Sequence, residues 1–403
     1  MENLPKVAYR TLVLGYNLSQ LPHELAEKVS ALLKTQEEFK QWATEWVLSG
    51  GRSPPPERNP LKHLANWFLY ASRALDQFKG LKKSGIEVKK MQPPLVFSAQ
   101  LRLEKEHDVG NGVFVDIQKR VVKIRKWSGK RGNTIVLPLG ENAIKWILER
   151  VVKESGKLVL AAVWTGRSRK TNATKLHVAL VFRREVASME TKRLLVVDFN
   201  ALHNGISWAV VERERIIAKS VLRPDVSRIQ HLLKVFARLD SLCARKDKAC
   251  EEATAAKSRL WRILRSFEDE FAKKLIQLAL QYKAAIVADV PHDKSIRELK
   301  ENNYSAEKKV FLNFGRIRRR LQGLAAWYGV PYREERLYST ICPRCGRKME
   351  ELPNRRVRCA CGFETHRDEV PFYWAAKLYP KLISFSNSSF STPGVVAVGA
   401  TGF

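Results

Sequence analysis

"CPRCGRKMEELPNRRVRCACGFETHRDE", residues Cys342–Glu369, sets four of the chain's six cysteines within twenty residues and runs directly into His-Arg-Asp-Glu. Cys342-x-x-Cys345 and, thirteen residues later, Cys359-x-Cys361 supply four soft ligands on two knuckles, the donor set of a tetrahedral Zn²⁺ site. The protein fills all four positions, which leaves none for a substrate water, so the zinc is expected to be structural. The second knuckle is one residue tighter than usual, and His366 stands as a reserve ligand. Asp368 follows the module at the start of a helix.

Two upstream segments belong with Asp368. KRLLVVDFN (Lys192–Asn200) and KAAIVADVP (Lys283–Pro291) both read as buried apolar strands ending in an acid, Asp198 and Asp289. One strand-terminal aspartate is ordinary in any α/β protein. Two on one sheet, with a third beside a metal module, form a set. Carboxylates converging at strand ends are hard oxygen ligands suited to Mg²⁺. Two such ions about 4 Å apart activate a water and stabilise the leaving oxygen in phosphodiester hydrolysis.

Charge points to the same class of substrate. Among 403 residues, 72 lysines and arginines face 41 acids, a net charge of +31, with a sequence pI near 10.0. Self-repulsion on that scale disfavours the compact state unless a polyanion is the usual partner, so nucleic acid leads over a generically basic protein or one held at an acidic membrane. No run approaches the roughly 20 apolar residues of a membrane helix. MENLPKVAYRTL lacks the layout of a signal peptide. A cytoplasmic location, no membrane partner and reduced thiols are therefore expected. Cys243 and Cys250, seven apart in a helical pattern, read as core cysteines.

Apolar residues at helical spacing from about residue 19 to 89 read as a helical lobe, broken by GGRSPPPERNP (Gly50–Pro60). From about Leu95 to Phe182 the pattern turns to short alternating segments with one helix, ENAIKWILERVVKE, inserted, which predicts a small β-barrel or β-sandwich. Beyond the strand of Asp198 come a hairpin extension, a long helical pair over about Asp225 to Tyr282, the strand of Asp289, an arginine-rich helix, a strand, the cysteine module and a closing helix. The tail SFSNSSFSTPGVVAVGATGF has no period and reads as unstructured.

This order, together with "YSTICPRCG", a second cysteine pair followed by glycine, and "RD" leading into a helix with "AA", resembles the TnpB family of transposon-encoded RNA-guided nucleases, to which the type V CRISPR effectors are related. The resemblance is carried by Lys192 to about Leu382, and most specifically by Ser339–Gly346. It implies a multi-domain α+β fold: helical recognition lobe, β-barrel wedge domain, and RuvC/RNase H-like α/β domain with an inserted zinc ribbon. The corresponding boundaries are 1–18 for the first wedge strand or strands, 19–92 for the helical lobe and 93–190 for the β-barrel wedge. The nuclease domain takes 191–338, the zinc ribbon 339–366, the last nuclease helix 367–382 and a flexible tail 383–403.

The resemblance further implies a guide RNA and target DNA as partners, catalytic Mg²⁺ and structural Zn²⁺. Asp198 and Asp368 match the first and third RuvC carboxylates, and Cys342, Cys345, Cys359 and Cys361 match the zinc ligands. The second carboxylate departs from the pattern. An ungapped reading sets Ala288 where the family has glutamate and Asp289 beside it, and one residue on a strand exchanges faces. With Asp289 in place the resemblance implies an RNA-guided DNA endonuclease. Without it, the expectation is an RNA-guided binder with an impaired nuclease, or a guide-free nucleic-acid-binding transposon accessory. The family's asparagine shortly after the third aspartate is also missing.

Arg316, Arg319 and Arg320 share one helical face, either solvated or set against an RNA–DNA backbone. Arg125, Lys126, Trp127 and Trp164 are candidates for guide-RNA contact by charge and stacking, against burial as the alternative for the aromatics. His203, close to Asp198, reads as a loop residue before a proton carrier.

Overall fold

The computed structural model describes residues 6–48, 95–103, 112–125, 134–167, 174–200, 205–243, 247–289 and 314–386. Most of the helical lobe, Lys126, Trp127, His203 and the C-terminal tail therefore lie outside the described residues. The chain divides into two compact units, essentially Tyr9–Glu185 and Val186–Pro393.

The first unit is built on β1 (Lys6–Asn17), β2 (Leu95–Arg102), β3 (Gly112–Asp116), β4 (Val121–Arg125), β5 (Thr134–Pro138), β6 (Lys157–Arg167) and β7 (Thr174–Val186), with helices α1 (His23–Leu48) and α2 (Glu141–Arg150). Its strand order is β1-β7-β6-β2-β3-β4-β5. In β4 the alternation is plain: Val122 and Ile124 are buried, while Lys123 and Arg125 face outward and stay half-exposed. The expected barrel is not formed. β1 and β5 are the two ends of the pairing order, and among the described residues no ladder joins them. The Tyr16 hydroxyl instead donates to the Pro138 carbonyl at 3.0 Å. Pro138 ends β5 without an N–H, so it has no donor for a closing ladder.

The second unit centres on β8 (Arg193–Phe199), β9 (Ile206–Glu212), β10 (Arg215–Leu222), β11 (Ala284–Asp289) and β12 (Tyr332–Glu335), in the order β10-β9-β8-β11-β12. β8, β11 and β12 run parallel, and β9 and β10 are antiparallel additions to one edge. Its helices are α3 (Val226–Cys243), α4 (Asp247–Tyr282), α5 (Phe314–Tyr328), α6 (Val370–Lys377) and α7 (Tyr379–Ser386). β8 and β11 are apolar almost throughout because both their faces are covered, whereas the edge strand β12 carries Arg333, Glu334 and Glu335. On one face Leu195, Val197, Ile286 and Ala288 pack with Leu275 of α4 and Leu321 of α5. On the other, Leu194, Val196, Ala285 and Val287 pack with Phe372 and Ala375 of α6.

Cys243 and Cys250 are not helical core cysteines. Cys243 ends α3 and Cys250 lies near the start of α4, their Cα atoms are 4.4 Å apart and a disulfide joins them. Gly329 ends α5 at φ +70°, a conformation only glycine adopts without strain. A Cβ there would lie 2.3 Å from the Ala187 carbonyl oxygen. Gly329→Ala is expected to cost about 2 kcal/mol or more, read as a lower urea midpoint for unfolding of this unit.

Candidate active site

Asp198 and Asp289 meet because of register. β8 and β11 pair in parallel with Leu194 beside Ala285, Val196 beside Val287 and Val197 beside Ala288. Partners in a sheet share a face, so the next pair, Asp198 and Asp289, continues the face of Val196 and Val287. That face is covered by α6, whose chain enters through Asp368. Ala288 belongs to the opposite face: it is 0 % exposed, in the core formed with α4 and α5.

The three acids feel one another. Burial pushes the Asp198 carboxyl up to about 8, with repulsion from Asp289 and Asp368 adding to it; Asn200 and Arg355 act the other way. Each acid has a fixed partner. Asn200 Nδ2 donates to Asp198 Oδ2 at 2.8 Å, and the Leu337 N–H donates to Asp289 Oδ1 at 2.7 Å. Arg355 Nη2 donates to Asp368 Oδ1 and, at 3.1 Å, to Asn200 Oδ1. Asn354 and Arg355 both have φ of +58°, so the turn that presents Arg355 is held in a sparsely populated backbone region.

The zinc ribbon supplies that arginine. Among the described residues, Cys342, Cys345, Cys359 and Cys361 are the group of possible ligands whose donor atoms all lie within 4.8 Å of one another. The Sγ atoms of Cys342 and Cys361 are 3.6 Å apart and those of Cys345 and Cys359 3.4 Å. Tetrahedral bonds of about 2.3 Å to zinc require sulfurs roughly 3.8 Å apart, so the set fits a structural zinc. Each knuckle closes on a left-handed glycine: Gly346 N–H donates to Cys342 O and Gly362 N–H to Cys359 O, both at 2.9 Å. The N–H and side chain of Arg347 pull the Cys345 thiol down to about 6, favouring the thiolate that a metal takes. Val357, Phe363 and Val370 bury the module against the start of α6, and Trp374 Nε1 donates to the Ile341 carbonyl at 2.8 Å.

The remaining candidates fall elsewhere. His366 is no zinc ligand here: its Nδ1 accepts from the Asp368 N–H at 3.3 Å. Glu369 pairs with Lys219 at 2.8 Å. Arg316 pairs with buried Glu268, and Arg320 lies 3.3 Å from Asp269, so both hold α5 to α4, whereas Arg319 is exposed. Burial raises the Glu268 carboxyl despite Arg316. Arg125 lies over the Phe114 ring in the first unit, 5.7 Å from its centroid. Sequence reasoning missed Asn200 and Arg355. Asn200, two residues beyond a strand-terminal acid, carried a usable signal; Arg355 lay among other arginines and carried none.

Residues 314–371, from α5 through the ribbon to the start of α6, match the family described as Cas12f1-like, TNB domain. Over most of its length the chain shares its fold with Cas12f1. Cas12f1 in a complex with single-guide RNA and target DNA superposes with a TM-score of 0.58 at 12% identity, over 87% of this chain and 83% of that one. A Cas12f ternary complex matches at 12% identity with a TM-score of 0.34, covering 92% and 83% of the two chains. No curated protein matches. No described helix is long and apolar enough to cross a membrane.

In the Cas12f1-like fold of this chain the acid cluster lies under the zinc module, and two predictions follow from that contact. The unfolded chain releases the Asp198 proton near pH 3.9, whereas the folded one keeps it to about 8. Between those values the folded state binds more protons, so this stabilising contribution is intact below about pH 4 and is lost as pH rises to about 8. Urea midpoints of zinc-loaded protein in Mg²⁺-free buffer are expected to fall with pH across that window, and Asp198→Asn to flatten the fall. Cys342→Ser or Cys359→Ser is expected to lose bound zinc by metal analysis and to lower the thermal midpoint, because these buried knuckles anchor α6.

Proposed function

We propose that this chain is an RNA-guided DNA endonuclease of TnpB type, hydrolysing phosphodiesters with Mg²⁺ at a RuvC-like site. The observation that carries the reading is the shared face of Asp198 and Asp289, with Asp368 close enough to repel Asp198. The strand order of the second unit, three parallel strands flanked by an antiparallel pair, is the one expected of an RNase H-like domain. The domain plan is the one read from the sequence, with the wedge an open sheet.

Three carboxylates are the donor chemistry of a hard divalent cation, although among the described residues only the four cysteines bring their donor atoms within 4.8 Å of one another. Burial, with repulsion from Asp289 and Asp368 added to it, pushes the Asp198 carboxyl up to about 8, and a bound cation would relieve that cost. Magnesium bound there supplies an activated water and charge stabilisation at the leaving oxygen. The chain's own groups do the positioning: Asn200 fixes Asp198 Oδ2, the Leu337 N–H fixes Asp289 Oδ1, and Arg355 holds Asp368 Oδ1 from the ribbon. The net charge of +31 brings the polyanion. In this reading guide pairing selects the sequence while the protein reads backbone shape. Arg319, exposed on α5, is the member of its stripe best placed for that backbone.

The deciding experiment is cleavage of a matched plasmid by the purified ribonucleoprotein in Mg²⁺. Wild type is expected to cut and Asp289→Asn to lose at least about a hundredfold in rate. Ala288→Glu, which suits the ungapped family pattern, is expected not to raise cleavage. It buries a carboxylate in the α4/α5 core and costs about 3 kcal/mol or more. Tight guide-dependent binding without cutting would replace the endonuclease with an RNA-guided binder. Failure to copurify a defined transcript would leave a guide-free accessory.

A further inference from the structure

The first unit carries an aromatic shelf of its own. Trp164 on β6 and His177 on β7 are direct cross-strand partners, and their rings stack with centroids 5.3 Å apart and planes 19° from parallel. Glycines flank the imidazole on both neighbouring strands. A Cβ at Gly166 of β6 would lie 3.2 Å from His177 Nε2, and one at Gly15 of β1 3.6 Å from Nδ1. At Gly166 the missing side chain leaves room for the imidazole, whereas Gly15 stands at ordinary contact distance from it. Lys175 shares this face, opposite Gly166. The intervening residues Leu176 and Val178 point the other way and are fully buried. On β1 the face of Gly15 also carries Val13, 50% exposed, and Tyr9, 39% exposed.

Both rings remain half-exposed, and no hydrogen bond joins either to another described residue. Burial and the charge of Lys175 lower the His177 pKa, so the ring is neutral at physiological pH. Flat uncharged rings with free polar edges, beside a lysine and on a strongly basic chain, have the chemistry that stacks a nucleobase and holds its phosphate. A cross-strand ring pair that served stability alone would not need the free edges, nor the tight approach to Gly166.

We propose that Trp164 and His177 form a base-stacking subsite for an unpaired purine, with Lys175 on the adjoining phosphate. The assignment of that purine to guide RNA rests on the RNA-guided reading above.

The test uses the full-length zinc-loaded protein and a fluorescently labelled single-stranded A12 RNA, with A12 DNA alongside. Trp164→Ala and His177→Ala are each expected to weaken A12 RNA about tenfold while leaving the salt slope of log K unchanged. Trp164→Phe, which keeps a stacking face, is expected to stay within about threefold. Lys175→Ala is expected to reduce the salt slope by about 0.7. A photocrosslink from 8-azidoadenosine placed within the oligonucleotide is expected in the peptide carrying Trp164.

Wild-type affinity in Trp164→Ala that retains native circular dichroism would overturn the subsite, as would crosslinks confined to other peptides. Equal loss in the Ala and Phe variants would mean that shape, not stacking, matters, and would overturn it too. Tighter binding of A12 DNA than RNA would overturn the guide assignment while sparing the shelf. If wild type bound no RNA at all, the RNA-guided reading would fall together with the subsite.

Discussion

The alignment of two parallel strands decides what this site is. With Val197 beside Ala288, the following residues Asp198 and Asp289 stand on one face and Ala288 on the other. A slip of one residue would send one carboxylate into the α4/α5 core and leave the other alone. The register is held by burial on both sides, since Leu194, Val196, Ala285 and Val287 fill one core while Leu195, Val197, Ile286 and Ala288 fill the other. Apolar packing therefore imposes a like-charge contact that electrostatics opposes. Burial first, and repulsion from Asp289 and Asp368 second, raise the pKa of Asp198.

The zinc ribbon contributes to the same place without chemistry of its own. Its cysteines fix two tight knuckles, its small core is continuous with the start of α6, and that helix begins just after Asp368. The ribbon also returns a cation: Arg355 reaches Asp368 and Asn200 from a turn with two consecutive left-handed residues. Metal, turn and acid are thus coupled through a short piece of chain. Strain in that turn is sustained because the surrounding knuckles and hairpin over-determine it.

The excess of basic residues serves more than one end. Arg316 and Arg320 lock α5 to the acids of α4, which leaves Arg319 outward on the same helix. In the first unit Arg125 lies over an aromatic ring, while Lys175 adjoins the Trp164 and His177 shelf. A helical charge stripe read as a single surface therefore splits, because neighbouring acids on a packed helix claim some members and not others.

Local pattern by itself determined the elements and the metal module. The apolar runs ending in Asp198 and Asp289, the helical pair, and Cys-x-x-Cys with Cys-x-Cys are short-range signals, and each formed as spacing dictates. Three matters belonged to tertiary structure. The barrel gave way to an open sheet, because ladder closure depends on how distant strands meet and Pro138 offers no N–H. Cys243 and Cys250 became a crosslink, because the end of α3 and the start of α4 bring their Cα atoms to 4.4 Å. Which residue, 288 or 289, faces Asp198 was settled by pairing with a strand some ninety positions upstream, a relation between strands that no local pattern encodes.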